Sequence, residues 1–524
     1  MAAAGAPGLS IGIINGVDGT TQSYHLGYRD VERQLRPNDQ TRYNINSLSK
    51  SVVSVLTGMI IFGGQGQPAV TWSDPVRTWL PEFGCMSKDV RYDSNIVDLL
   101  SHRTGVVDSD NLWLGANNAV FLPKSEAIRS FTGLGFVEPF RTSFSYNNFG
   151  YEIVGQVLEK VTGKPLGKLL EDYVFRPLAM NRTSTSWMDS DDNEAKSYSV
   201  LKDLSPIEVG RPLLGNGTIM EAAGGVKSTL ADLFVYYKAL LQEINAQFDS
   251  GTDSTDISSL KFCRLISFNQ ARLPGQSIRE QGYGLGLARG QLPGQLGRIS
   301  ANIGLGEEPI VGKGGPSTLV LYHHGCQPGS TSVVLLLPEL KAGIVVLQNS
   351  LPLVDTPDLI GQFLLETLLQ TPEPNDYLQL TRDFQEVAVH TIDNVREELE
   401  KHRVPGTKPR ALESFKGRYW NELNNFCIDI NVTNEGFLSL RLQGDDSEVY
   451  LLHHYHYDTF SWLMPHDEII KRGRMVTFFG WEYYLMEFSG ITTDSDIHQF
   501  HWKVMDSYTT TFTKEKANTD TSVS

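Results

Sequence analysis

Ser47-Leu48-Ser49-Lys50 runs directly into Ser51-Val52-Val53-Ser54-Val55-Leu56-Thr57-Gly58-Met59-Ile60-Ile61, a stretch apolar almost all round. Such a run reads as a buried helix. If Ser47 opens it, Lys50 lies one turn on and on the same face, within side-chain reach of the serine oxygen. A serine hydroxyl is a weak nucleophile until a neighbouring base takes its proton. A lysine serves as that base only where burial or nearby positive charge lowers its pKa. The apolar surroundings meet that condition, and the helix N-terminus favours a developing oxyanion. The four-residue pattern alone proves little, since an N-cap serine and a surface lysine would produce it. Ser199-Val200-Leu201-Lys202 and Ser258-Ser259-Leu260-Lys261 repeat it, in polar stretches that read as surface loops.

Two further patches follow in order. Tyr146-Asn147-Asn148 stands where a polar stretch enters a second helical pattern, Phe149 to Leu158. A loop entering a helix presents functional side chains well. His323-His324-Gly325-Cys326 lies in a β-rich run from Ser317, followed by Gln327-Pro328-Gly329 and a second run, Ser330 to Leu337. That arrangement reads as two adjacent strands about a tight turn. On a strand His324 faces away from His323, so it receives no role. Tyr419-Trp420-Asn421 and His25-Leu26-Gly27 repeat the second and third patterns outside this order.

In this order the patches resemble the penicillin-binding-protein and class C β-lactamase superfamily, whose motifs are S-x-x-K, Y-x-N and K-T-G or H-x-G. More of the chain is similar: Leu99-Leu100-Ser101-His102-Arg103-Thr104-Gly105, Gly163-Lys164-Pro165-Leu166, Phe175-Arg176-Pro177-Leu178-Ala179-Met180, Ala222-Ala223-Gly224-Gly225 with Ser228-Thr229, and Tyr283-Gly284-Leu285-Gly286. The resemblance spans roughly residues 7 to 370. It implies Ser47 as nucleophile, Lys50 and Tyr146 as managers of its proton, and the backbone N–H groups of Ser47 and Cys326 as the oxyanion hole. Asn148, His323 and Gly325 would contact substrate. His323 stands where most penicillin-binding proteins and β-lactamases have lysine, a departure found in esterase-like and acyltransferase-like relatives.

The expected fold is α+β: a transpeptidase-like domain over residues 1–375, with an antiparallel sheet flanked by helices and an all-helical region. A helical linker is expected over 376–407, and a disordered tail over 517–524. Between them, over 408–516, short alternating strands rich in aromatics suggest a small antiparallel barrel. The resemblance implies a lipocalin-like one. Polar, Gly-rich stretches at 186–215, 245–260 and 290–316 read as loops. The first strand is expected at Leu9 to Ile14, almost at the start of the chain, where relatives carry a preceding helix.

Composition narrows the partners. Among 524 residues the formal net charge is −16, which argues against nucleic acid and anionic membranes. Four cysteines without CxxC pairing (Cys85, Cys263, Cys326, Cys427) indicate neither a disulfide framework nor a zinc cluster. His453-His454-Tyr455-His456 with His498 and His501 is set aside as a metal site, because His454 and His456 share a strand face that His453 does not. No cofactor is expected. The first residues lack a basic leader and a hydrophobic run, so a cytoplasmic location is expected without membrane insertion. The sequons at Asn181, Asn216 and Asn431 then carry little meaning.

The reading is a serine acyl-enzyme hydrolase or acyltransferase acting on a small-molecule ester, amide or thioester, a carrier-bound thioester included. Segments such as Val345 to Pro352 resemble filamentous-fungal members, which points to secondary metabolism and includes transesterases. Three alternatives stay open: a D-amino-acid peptidase, a β-lactamase-like hydrolase, and an inactive binding protein of the same fold.

Overall fold

The computed structural model describes residues 1–64, 69–83, 93–188, 192–275, 277–475, 480–491, 497–505 and 508–515. Its first part is built on an eight-stranded sheet in the order Thr21–Gly27, Gly8–Ile14, Ala342–Gln348, Ser330–Leu337, Thr318–Gln327, Ala288–Leu292, Gln281–Tyr283, Ala271–Arg272. Every neighbouring pair is antiparallel. The N-terminal hairpin thus docks on the last strand of this sheet in chain order, with Gly12 opposite Val345.

The strands Ser330–Leu337 and Ala342–Gln348 are buried at every residue. Helices cover both faces. The helix Leu230–Ser250 packs where a Cβ on Gly12 would meet Leu230 and Phe234, and the helix Thr356–Leu368 packs where one on Gly361 would meet Val333 and Leu335. Two covered faces explain why these strands read as continuous apolar runs instead of alternating ones. Pro328-Gly329 makes the two-residue turn between Gln327 and Ser330, with Gly329 at φ +93°. The helix Ser49–Phe62 packs among other helices, Asn148–Thr162 and Glu221–Gly224 among them, and is buried from Ser49 through Ile60. The helix Asn148–Thr162 crosses close to Ile96–Leu100, where Gly150 leaves room for the Leu99 carbonyl.

The amphipathic helix Tyr377–His402 buries Phe384, Ala388, Ile392, Val395 and Leu399, a spacing of three to four that marks one face. It leads to a closed eight-stranded antiparallel barrel running from Gly417–Asn421 to Tyr508–Lys514, whose first and last strands pair with Tyr419 opposite Lys514. Aromatic side chains fill the barrel, among them Phe415, Phe460, Phe488, Phe500 and Phe512. Among the described residues no helix is long and apolar enough to cross a membrane.

Several sequence expectations change. Residues 245–250 continue the helix Leu230–Ser250, and 290–292 complete the strand Ala288–Leu292. Tyr198–Val200, expected in a surface loop, is a fully buried strand pairing with Ser350–Leu351. The register shifts between His454 and His456, so simple alternation does not put those two on one face. The expected tail at 517–524 and Cys85 lie outside the described residues.

Candidate active site

Ser47 sits in a single 3-10 turn, Asn46–Leu48, that leads into the helix Ser49–Phe62. Asn46, just before it, has φ +49°, a left-handed conformation that asparagine tolerates better than most residues. Its amide holds that shape: Nδ2 donates to the Ser330 carbonyl at 3.0 Å, and Oδ1 accepts from Ser330 Oγ at 3.1 Å and from Asn44 Nδ2. The turn is thereby tied to the hairpin that carries His323.

Lys50 is fully buried. Its Nζ donates to Ser47 Oγ at 2.9 Å, to Asn148 Oδ1 at 2.8 Å and to the Ala223 carbonyl at 2.9 Å. Burial brings its pKa down to about 7, against the opposing pull of the Asp110 and Asp108 carboxyls. Tyr146 donates its hydroxyl to Ser47 Oγ at 2.9 Å. Burial pushes that hydroxyl well above its usual range, so Tyr146 is a neutral donor. Its ring stacks on His102 with centroids 4.3 Å apart and lies 4.9 Å from Lys50 Nζ.

The loop before Asn148 is pinned by Asn147, whose N–H donates to His102 Nδ1 at 3.0 Å and whose Nδ2 donates to the Val107 carbonyl at 2.9 Å. Asn148 turns Oδ1 to Lys50 and donates Nδ2 to both Asp110 oxygens, at 3.0 and 3.1 Å. Asp110 also accepts from Trp113 Nε1 at 2.7 Å. Asp110 and Asp108 share a hydrogen bond, and burial raises both carboxyls, Asp108 the further of the two.

On the sheet edge, His323 Nδ1–H donates to the His324 carbonyl at 2.6 Å, which leaves Nε2 to accept from the Tyr283 hydroxyl at 2.9 Å. Burial and the nearby Lys50 hold its pKa well below the usual value, so the imidazole is neutral. His324 points to the other face and pairs with Asp358 at 2.9 Å. Gly325 lets the strand approach the Ser47 turn, since a Cβ there would lie 2.7 Å from the Ile45 carbonyl and 2.5 Å from Ser332 Oγ. The strand Thr318–Gln327, which carries half-buried Cys326, is thus in contact with the Asn46–Leu48 turn.

Of the residues proposed from sequence, Ser47, Lys50, Tyr146 and Asn148 form one hydrogen-bonded cluster, with the His323 ring 6.3 Å from that of Tyr146. The repeats of the motifs fall elsewhere: Ser199 in a buried strand, Ser258 on Glu243, Tyr419 inside the barrel. Sequence reasoning missed Asn46, His102, Asp108 and Asp110. Among the described residues no group of three or more His, Cys, Asp or Glu side chains is placed to hold a metal ion.

Residues 1–367 match the family described as Beta-lactamase. The chain belongs to the β-lactamase family. Residues 401–519 match a domain of unknown function, DUF3471. The unguisins hydrolase ungD of Aspergillus violaceofuscus is 25% identical over 356 residues, covering 66% of this chain and 58% of that protein. The chain thus spans little more than half of that relative's length. The β-lactamase of Escherichia coli is 23% identical over 350 residues, covering 66% of this chain and 84% of that protein. The penicillin-binding protein homologue from Pyrococcus abyssi, an octamer, has a similar fold: TM-score 0.55 at 20% identity over 97% of this chain and 96% of that one. Membership of the β-lactamase family and these hydrolase-named relatives support a serine hydrolase type.

Proposed function

We propose that the protein is a serine acyl-enzyme hydrolase of an ester or amide, with Ser47 as nucleophile. The observation that carries this is the paired approach of Lys50 Nζ and the Tyr146 hydroxyl to Ser47 Oγ, each at 2.9 Å. Once Lys50 is neutral, its lone pair accepts the Ser47 proton as Oγ forms a bond to the carbonyl carbon. The resulting oxyanion lies toward the backbone N–H groups of Ser47 and Cys326. Tyr146, protonated throughout its resting state, relays a proton to the leaving group. Water then attacks the acyl carbon and Ser47 recovers its proton. The name unguisins hydrolase favours water over another acceptor. Neutral His323 presents no cation, which counts against a site built to pair with a substrate carboxylate.

Intact-mass spectrometry with p-nitrophenyl acetate, on the parent and on Ser47→Ala, tests the assignment. An acetyl adduct on the parent alone, with p-nitrophenol release, is expected. Adding amine or alcohol acceptors then separates hydrolysis from transfer. Equal release by both proteins without an adduct would overturn it and favour an inactive binding protein.

A further inference from the structure

Next to the Ser47 cluster the catalytic domain and the barrel enclose a cavity of about 220 Å³. Leu114 forms one wall, and the barrel supplies most of the rest through Trp462, Met464, Tyr483 and Tyr484. Asp108 and Asp110 close one end. That end adjoins the Ser47 cluster through Asn148, which donates to Asp110 at 3.0 Å and accepts from Lys50 at 2.8 Å. A dry cavity of about 150 Å³ already admits a benzene ring, so this one suits a larger aromatic group.

The two ends of the cavity differ in chemistry. The barrel end is aromatic: the Trp462 ring lies 5.3 Å from Tyr483 and 5.5 Å from Tyr484, and Trp462 Nε1 is spent on the Tyr483 carbonyl at 3.2 Å. At the catalytic end, Asp108 and Asp110 form no ion pair with any of the described residues. The Arg474 guanidinium on the cavity wall pairs instead with Glu448 at 2.8 Å. Asp110 already accepts from Asn148 and Trp113, whereas Asp108 accepts from the Ser109 N–H at 3.0 Å and shares one bond with Asp110, so a ligand that brings an N–H donor gains most at Asp108.

We propose that this cavity is the substrate side-chain pocket, taking an aromatic group whose N–H donor reaches the Asp108–Asp110 pair. The proposal rests on the serine hydrolase reading for its use in turnover, but binding to the cavity does not depend on the nucleophile. The barrel then chooses the substrate for chemistry performed by the other domain.

Two measurements separate these claims. In Ser47→Ala, calorimetric titration with indole is expected to show one saturable site, with benzofuran, which lacks the N–H, at least about tenfold weaker. Met464→Trp and Leu114→Trp fill the cavity from the barrel and from the other domain, and each is expected to abolish indole binding while retaining a cooperative thermal transition. Absence of saturable indole binding, or undiminished binding in whichever filled variant folds, would overturn the pocket. Equal affinities for indole and benzofuran would overturn its polar end. In the parent, kcat/KM for the p-nitrophenyl ester of indole-3-acetate should exceed that for the acetate by about tenfold or more, and both filled variants should lose that ratio. A ratio near one in the parent, with acetate still turned over, would overturn the pocket's role and leave the Ser47 assignment standing. Indole binding in a protein that no ester acylates would uphold the pocket and overturn the hydrolase reading.

Discussion

Lys50 has no lone pair to offer while its three protons point at Ser47 Oγ, Asn148 Oδ1 and the Ala223 carbonyl. Burial lowers its pKa from 10.5 to about 7, so the base form accumulates as pH rises through neutrality. We therefore expect kcat/KM for a p-nitrophenyl ester to rise with pH along a limb near 7, since that parameter reports groups on the free enzyme. The acidic pair sets where the limb falls. Negative charge on Asp110 favours the ammonium, so Asp110→Asn removes an upward pull and should move the limb to lower pH. An unmoved limb, or one moved to higher pH, would sink this account of Lys50. None of this was legible in Asp108-Ser109-Asp110, three polar residues in no recognised motif. Their influence comes from burial beside Lys50, which the fold creates. Asn46 was hidden for the same reason, because its left-handed φ and its bonds to Ser330 join positions far apart in the chain.

Among the elements, two glycines let β-structure come close to the segment from Ile45 to Lys50. Gly325 abuts the Ile45 carbonyl, and Gly286, at φ +86°, abuts the Lys50 backbone, where a Cβ would lie 2.7 Å from the carbonyl carbon. Both belong to motifs read from sequence, H-x-G and Y-G-L-G, yet sequence alone did not say which backbone each glycine approaches. Gly286→Ala combines a disfavoured φ with a backbone clash. It should cost about 1–3 kcal/mol of stability and shift the Lys50 helix enough to slow acylation. Thermal unfolding checks the first effect and stopped-flow p-nitrophenol release the second; a variant with parental stability and rate would contradict the close approach. The strands around His323 were legible because a Pro-Gly turn separates two β-branched runs. The end of the helix Leu230–Ser250 was not. The stretch from 245 reads as a loop because it is polar, yet the buried face of the helix carries Glu243 and Gln247 into it with partners that lie outside the helix: Glu243 accepts from Ser258 N–H at 2.7 Å, and Gln247 accepts from Arg264 N–H at 3.1 Å.

At the scale of the whole molecule, the barrel is joined to the catalytic domain by a shared hydrophobic core and by polar contacts around residues 115–130. Alternating aromatics announced the barrel, but its docking was illegible, because the contacts join residues about three hundred positions apart. Asn425 Nδ2 donates to Glu126 Oε2 and Ser130 Oγ, both at 3.0 Å, and the Phe121 and Phe426 rings meet at 5.8 Å. Glu448 is the most enclosed of these links. It is fully buried, accepts from the Ala116 N–H across the interface, from the Tyr450 hydroxyl at 2.5 Å and from Arg474 Nη2 at 2.8 Å. Removing one member of a buried ion pair strands the other, at a cost of about 3–5 kcal/mol. Glu448→Ala should therefore destabilise the protein by about that much. The double replacement Glu448→Met with Arg474→Met, which leaves no buried charge, should lie closer to the parent despite removing more polar contacts. Urea unfolding of all three proteins measures this. If the double variant loses as much as the single one, the link is held by the shape of the Glu448 contacts rather than by charge. The barrel's grip over the proposed pocket would then depend on packing alone.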